Sequence, residues 1–208
     1  AGHGVRFFDA PAEGIGVDDV FNRLEGFVPE LVVVDTSTPS IYNDVEVTEK
    51  IKEKFPSIFT VLVGTHPSSL PEETLNLSNS INAVAVGEYD FTIRELSRAL
   101  EDNRSLDDVE GLVFKKGDEI VKNGYRLKID NLDEIPFVTS VYKRYLHCRS
   151  YFFAAANYPM VMTITGRGCP FKCFFCVYPQ VFHGRKYRTR SPENVVDEFE
   201  YVVRNFPE

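Results

Sequence analysis

The chain has 208 residues, 43% of them hydrophobic and 26% charged, with a net charge of −8. That length suits one large domain or two modest ones, and the mixture is that of a globular protein. The acidic balance argues against wrapping nucleic acid by bulk electrostatics. No run approaches the ~20 apolar residues of a membrane helix, and Ala1-Gly-His-Gly-Val-Arg6 lacks the apolar centre of a secretion signal.

From residue 5 to about 102, short apolar runs alternate with helical patterns. Val5–Asp9 reads as a strand, followed by a helix around Val17–Leu24. Leu31–Asp35 is a second strand, with a helix from about Val45 to Lys54. Thr60–Val63 is a third, before a short helix opening at Pro71, and Ala83–Val86 is a fourth, before a helix over Phe91–Glu101. Strand starts recur every 23 to 29 residues, the period of right-handed βαβ units. Near-continuous Val and Leu runs indicate strands buried on both faces. The expected fold is α/β, a doubly wound parallel sheet of Rossmann type. Residues 109–123 predict a hairpin around Lys116-Gly117-Asp118 that closes this domain. Residues 124–158 form an irregular linker with Tyr142, Tyr145, Tyr151 and Phe152 as anchors.

In such sheets ligands bind beyond the carboxyl ends of the strands. Those ends carry Thr36-Ser-Thr-Pro-Ser40, Gly64-Thr-His-Pro-Ser-Ser69 and Gly87-Glu-Tyr-Asp90. Small and hydroxylated residues let backbone approach a large flat ligand or a phosphate tail. They are also default turn residues, and the pattern alone does not decide between the two. No G-x-G-x-x-G run is present, which disfavours a nicotinamide or flavin dinucleotide. His3 and His66 read as loop residues rather than metal ligands.

The remaining sequence carries a sharper signal. Val161–Thr165 predicts a strand, and Ser191-Pro192-Glu193 caps a helix with apolar Val195, Val196, Phe199, Val202 and Val203. Between them lies Gly166-Arg-Gly-Cys169-Pro-Phe-Lys-Cys173-Phe-Phe-Cys176, a C-x3-C-x2-C loop. Three thiolates on one curled segment leave one iron of a cubane open to an exchangeable ligand. Cys169, Cys173, Cys176 and His183 could instead hold zinc, although the seven-residue gap before His183 differs from tight zinc knuckles. Cys148 stands apart as a small buried hydrophobe, so structural disulfides are disfavoured. Reduced thiols suit the cytoplasm. Arg185, Lys186, Arg188 and Arg190 form a basic stretch, either a solvated loop or a clamp for a carboxylate or anionic substrate.

The cysteine loop resembles that of the radical S-adenosylmethionine (AdoMet, SAM) superfamily, C-x3-C-x-Φ-C, with Phe175 at the aromatic position Φ. The resemblance implies that Cys169, Cys173 and Cys176 bind a [4Fe-4S] cluster whose fourth iron is chelated by the amino and carboxylate groups of AdoMet. One electron from the cluster then splits AdoMet into methionine and a 5′-deoxyadenosyl radical, with Phe175 beside the adenine. Val33–Ser40, Val63–Thr74 and Val86–Leu96 are similar to the cobalamin-binding domain that precedes many radical SAM cores, and Asp130–Pro136 to its connecting segment. By that likeness Thr36, Thr38, Gly64, Thr65, Gly87 and Glu88 line a corrinoid crevice. The D-x-H-x-x-G motif of cobalamin domains has a partial counterpart in Asp9–Gly14, with Pro11 in the place of His.

The expected organisation is therefore a cobalamin-binding-like domain over 1–123 that lacks its first strand, a linker over 124–158, and over 159–208 the first β/α unit of a radical SAM partial TIM barrel. One unit of about six implies a fragment that is inactive by itself. The resemblance implies a radical SAM enzyme: a transferase performing radical C-methylation, or an oxidative cyclase or rearrangement enzyme. Its partners would be a small-molecule substrate and a one-electron reductant such as flavodoxin or ferredoxin. A methylthiotransferase is disfavoured because residues 1–147 hold no cysteine. The contrasting possibility is a non-catalytic zinc- or corrinoid-binding module.

Overall fold

The computed structural model describes residues 2–207. It divides into two compact units: Gly26–Ile129 with Gly168–Lys186, and Ala1–Glu25 with Asp130–Arg167 and Tyr187–Glu208. This partition crosses the boundaries expected at 123 and 158. The cysteine loop falls with the sheet, and the N-terminal helices fall with the segments around residues 130–167.

The first unit is built on a sheet of β1 (Leu31–Thr36), β2 (Phe59–Gly64), β3 (Ala83–Ala85), β4 (Leu112–Lys116) and β5 (Glu119–Lys122), in that spatial order. β1, β2 and β3 are parallel, with Val33 opposite Val61, Thr36 opposite Gly64 and Val61 opposite Ala83. The expected hairpin joins them antiparallel, with Ala83 opposite Phe114 and Gly117 at its turn in the left-handed region (φ 64°). The sheet is therefore mixed rather than wholly parallel, and its strand order does not reverse. The two-residue turn makes β4 and β5 antiparallel, since a parallel pair needs a long crossover.

Alternation along β2 and β3 sends side chains to both faces. Val61, Val63, Ala83 and Ala85 pack with Leu96 and Ala99 of the helix Asp90–Glu101. Leu62 and Val84 pack with Ile41 and Val45 of the helix Ile41–Lys54 and with Leu75 of the helix Pro71–Leu77. Helices on both faces account for the unbroken apolar runs of the sequence. β1 and β5 are the edge strands, and Val33 of β1 is exposed.

Two expected strands do not form. Over Val5–Asp9 the chain is irregular, Val5 and Phe7 are exposed, and Asp9 instead caps the helical turn Ala10–Glu13, accepting from the Ala12 amide at 3.2 Å. The D-x-P-x-x-G run is thus a capped helical turn in the second unit and no part of the sheet. Over Val161–Thr165 there is likewise no strand. Pairing is confined to β6 (Gly166–Arg167) against β7 (Arg188–Thr189), and Met162 and Ile164 are half exposed with no ladder partner to hold an extended run.

The second unit is organised by a buried carboxylate. Ser191 caps the helix Pro192–Asn205 as expected, its Oγ accepting from the Asn194 amide at 3.2 Å. The inward face of this helix carries Glu198, which is fully buried, whereas Val196, Phe199 and Val203 face outward. Glu198 Oε1 accepts from the Thr139 amide at 3.1 Å and the Thr139 hydroxyl at 2.9 Å, so it caps the helix Val138–Tyr145 at its positive end. Its other oxygen pairs with Arg190, whose guanidinium also donates to Asn194 Oδ1 and to the Ile164 carbonyl at 3.1 Å. A buried ion pair satisfied on every side is tolerable, but one stripped of a partner is costly. We expect Glu198→Ala to destabilise the protein by about 3–5 kcal/mol in urea unfolding, whereas Glu200→Ala, one exposed residue of a surface pair with Arg204, changes it by under about 1 kcal/mol.

Candidate cofactor site

The carboxyl ends of β1 and β2 open into a cavity of about 280 Å³. β1 contributes Asp35 and Thr36, followed by Ser37, and β2 contributes Gly64, followed by Thr65. Tyr89, Tyr178 and Phe182 form an aromatic wall. Gly64 sits at φ 110°, where a Cβ would collide with the Thr36 carbonyl and come within 2.6 Å of Asp35 Oδ1. Only glycine lets the two strand ends lie this close.

Thr36, Gly64 and Thr65, expected at the crevice, line this cavity; Thr38, Gly87 and Glu88 are not among its lining residues. Thr38 reaches His66, with its Oγ1 3.2 Å from Nδ1. Gly87 donates its amide to Ser68 Oγ at 2.9 Å, and Ser68 donates to the Gly64 carbonyl at 2.6 Å, which ties the ends of β2 and β3 together. Glu88 is buried, accepting from the Ile129 amide at 3.1 Å and from His183 Nδ1 at 3.1 Å. Sequence reasoning placed Tyr89 within a strand end without singling it out, and did not assign Asp35, Tyr178 and Phe182 to the site. For the last two the signal was available in the aromatic run Tyr178–His183 just after the cysteines, but its placement depends on a long-range contact.

Asp35 carries a perturbed carboxyl. Lost hydration beside the cavity, then the negative charge of Asp44, hold it above its ordinary value of 3.8, against a lowering hydrogen bond from the Thr36 backbone.

The cysteine loop lies in the same unit as the cavity. Its base is pinched shut. Cys169 N donates to the Gly184 carbonyl at 3.1 Å, and Gly168, at φ 93°, faces the Lys186 carbonyl, where a Cβ would collide. Within it Cys176 N donates to the Cys173 carbonyl at 3.2 Å, and Arg185 donates to the Phe171 carbonyl at 2.8 Å. None of the four cysteines is in a disulfide: Cys148 is buried, Cys173 is exposed, and Cys169 and Cys176 are half buried. Phe175 is 78% exposed and meets Phe174 edge-on at 5.5 Å.

Among the described residues no three His, Cys, Asp or Glu side chains gather as a metal site requires, so side-chain placement favours neither zinc nor a cluster. His183, the fourth member of a zinc set, meets Glu88 through Nδ1, as metal-ligating histidines also meet a supporting carboxylate. The donor set itself, three unpaired thiols on one closed, accessible loop, suits a polynuclear iron–sulfur cluster, whose corners take one thiolate each. The basic stretch divides. Arg185 supports the loop, Arg188 is buried, and Arg190 is committed to Glu198, so these arginines do not form one solvated patch.

No family model matches the chain. It is 30% identical over 207 residues to an uncharacterized methyltransferase of Pyrococcus horikoshii, covering 97% of this chain and 44% of that protein. It is 29% identical over 200 residues to the anaerobic magnesium-protoporphyrin IX monomethyl ester cyclase of Cereibacter sphaeroides, covering 95% and 32%. Among solved structures, the cobalamin-dependent S-adenosylmethionine radical enzyme OxsB, with aqua-cobalamin and S-adenosylmethionine bound, aligns with a TM-score of 0.72 at 19% identity, covering 92% of this chain and 26% of that one. The chain belongs to the cobalamin-binding radical SAM enzymes, and its homologues are methyltransferases and cyclases of that family. It spans less than half the length of these relatives. No helix among the described residues is long and apolar enough to cross a membrane.

Two outcomes follow from the cavity. Gly64→Ala should lower the thermal midpoint far more than Gly117→Ala. Both glycines have positive φ, but a Cβ at Gly117 meets nothing within 4 Å, whereas at Gly64 the collision adds to a backbone conformation (φ 110°, ψ −167°) that is essentially closed to other residues. For Asp35, a raised folded-state pKa means that the folded chain holds its proton longer than the unfolded chain. Stability then falls as pH rises from 3.8 through the raised value. Asp35→Asn should remove that fall, read from urea midpoints across the pH range.

Proposed function

We propose that this chain is the cobalamin- and cluster-binding part of a radical SAM enzyme, with Cys169, Cys173 and Cys176 as the cluster ligands. The observation that carries the reading is the C-x3-C-x2-C loop, closed at its base by the Cys169–Gly184 hydrogen bond, with none of its three cysteines in a disulfide. The cluster supplies the single electron that AdoMet cleavage requires. The chain's own residues hold and shield it: the Cys169–Gly184 hydrogen bond fixes the loop base, and exposed Phe174 and Phe175 offer apolar faces for an adenine.

The cavity at the strand ends supports a corrinoid site. A volume of about 280 Å³ is at the small end of ligand pockets, which run about 300–1,000 Å³. Thr36, Gly64 and Thr65 would hold part of a larger cofactor there. Gly64 permits close backbone approach, Thr36 and Thr65 offer hydroxyls, and Tyr89, Tyr178 and Phe182 exclude water. Thr38, Gly87 and Glu88 then act behind this wall rather than in it.

For the whole enzyme the favoured activity is radical C-methylation of a small molecule, with the corrinoid carrying the methyl group and a flavodoxin or ferredoxin supplying electrons. The kinship with a cyclase keeps oxidative ring formation as the second reading. Anaerobic reconstitution with iron and sulfide tests the cluster. We expect about four irons and four sulfides per chain, lost in Cys173→Ala and retained in Cys148→Ala. Stoichiometric zinc with no iron would contradict the reading.

A further inference from the structure

Glu88 is the most completely enclosed acidic side chain of the sheet unit, with its side chain 1% exposed. It sits just past β3 and receives two hydrogen bonds from distant segments. The Ile129 amide donates to Oε2, and His183 Nδ1 donates to Oε1, both at 3.1 Å. The partners lie 41 and 95 residues away in sequence, so one carboxylate closes two large loops.

What His183 carries with it gives the contact its meaning. It is the residue after Phe182, and its ring meets Phe182 edge-on at 4.5 Å and stacks on Tyr178 at 6.2 Å. Phe182 and Tyr178 are two of the three aromatic walls of the cavity. The third, Tyr89, follows Glu88 and meets Phe182 edge-on at 5.7 Å. A second tether runs parallel: Lys128 crosses Gly87, where its Nζ would lie 2.9 Å from a Cβ, and donates to the Phe182 carbonyl. The helical turn Tyr178–Val181 is only four residues long and Tyr178 is half exposed, so local structure alone cannot hold this wall in place.

We propose that Glu88 is a positioning residue for the cavity: through His183 it fixes the Tyr178–Phe182 turn as a cover over the strand ends, and thereby sets how long a ligand is retained. Glu88 does this without touching the ligand. The proposal rests on the reading that the cavity takes part of a corrinoid, and two measurements keep the two claims apart.

The first uses the full chain with no ligand, by hydrogen exchange. Loss of the carboxylate in Glu88→Ala, or of the imidazole in His183→Ala, should speed exchange of the Phe182 and His183 amides, which donate to the Tyr178 carbonyl, by about tenfold or more, the size expected for losing a hydrogen bond to a charged group. Protection of Val61–Val63 in β2 should stay unchanged. Glu88→Gln, which keeps a hydrogen-bonding oxygen and nitrogen in place, should restore protection to within about threefold. Unchanged exchange at 182–183, or equal loss of protection in β2, would overturn the proposal. If Glu88→Ala does not fold, His183→Ala decides, because His183 is partly exposed.

The second measurement follows release of hydroxocobalamin by absorbance after dilution. Glu88→Ala and His183→Ala should release it about tenfold faster, with Glu88→Gln close to the parent chain, since a cover acts chiefly on the off-rate. Equal release rates in all four proteins would overturn the role in retention. Failure of the parent chain to bind hydroxocobalamin at all would instead remove the corrinoid reading, and with it the retention role, and leave the exchange result to judge the cover.

Discussion

The cysteine loop can be reactive only because its base is closed while its rim stays open. Gly168 is pressed against the Lys186 carbonyl so tightly that no Cβ fits, and the Cys169 amide is spent on the Gly184 carbonyl. The backbone cost of ordering the loop is thus met at its neck. The thiols beyond it need no partner among themselves, and none of the four cysteines is in a disulfide. A looser neck would leave three reducing side chains on a flexible segment, a poor ligand set for a rigid cluster.

The same economy governs the strand ends. Parallel strands leave a row of backbone groups pointing past their carboxyl ends, and that is where α/β sheets place ligands. Here glycine at position 64 brings two of those ends together, and Ser68 staples β2 to β3. The aromatic cover is supplied by the segment that follows the cysteines. The cysteine loop and the Tyr178–Phe182 part of the cavity wall are therefore one continuous stretch of chain, from Cys169 to Phe182.

Much of this was legible in the sequence, and the reasons for the misses are specific. Uninterrupted apolar runs located β2 and β3, because strands buried on both faces have no polar alternation to blur them; the same kind of run located β1, although Val33 and Asp35 there are exposed. The cap at Ser191 and the spacing of the three cysteines were equally plain, since both are local. The runs at Val5–Asp9 and Val161–Thr165 looked like strands but have no neighbour to pair with, and strand propensity without a ladder is weak. The helix after Ser191 was read from Val195, Val196, Phe199, Val202 and Val203, and it forms, but Val196, Phe199 and Val203 are exposed and the fully buried residue is Glu198. Thr139 and Arg190 together satisfy that carboxylate, and no periodicity rule can foresee it. Glu88 was read as a corrinoid contact from its place after β3; in the structure it is buried and bonded to Ile129 and His183, partners too distant in sequence for any local rule to name.

The central claim is that three thiolates hold a cubane while one iron stays open to a chelating sulfonium ligand. Electron paramagnetic resonance of the anaerobically reconstituted, reduced full chain, recorded before and after saturating AdoMet, tests it most directly. The account predicts a [4Fe-4S]+ signal whose g-values move when AdoMet is added. A signal indifferent to AdoMet, or no paramagnetic cluster in a chain that binds iron, would contradict it.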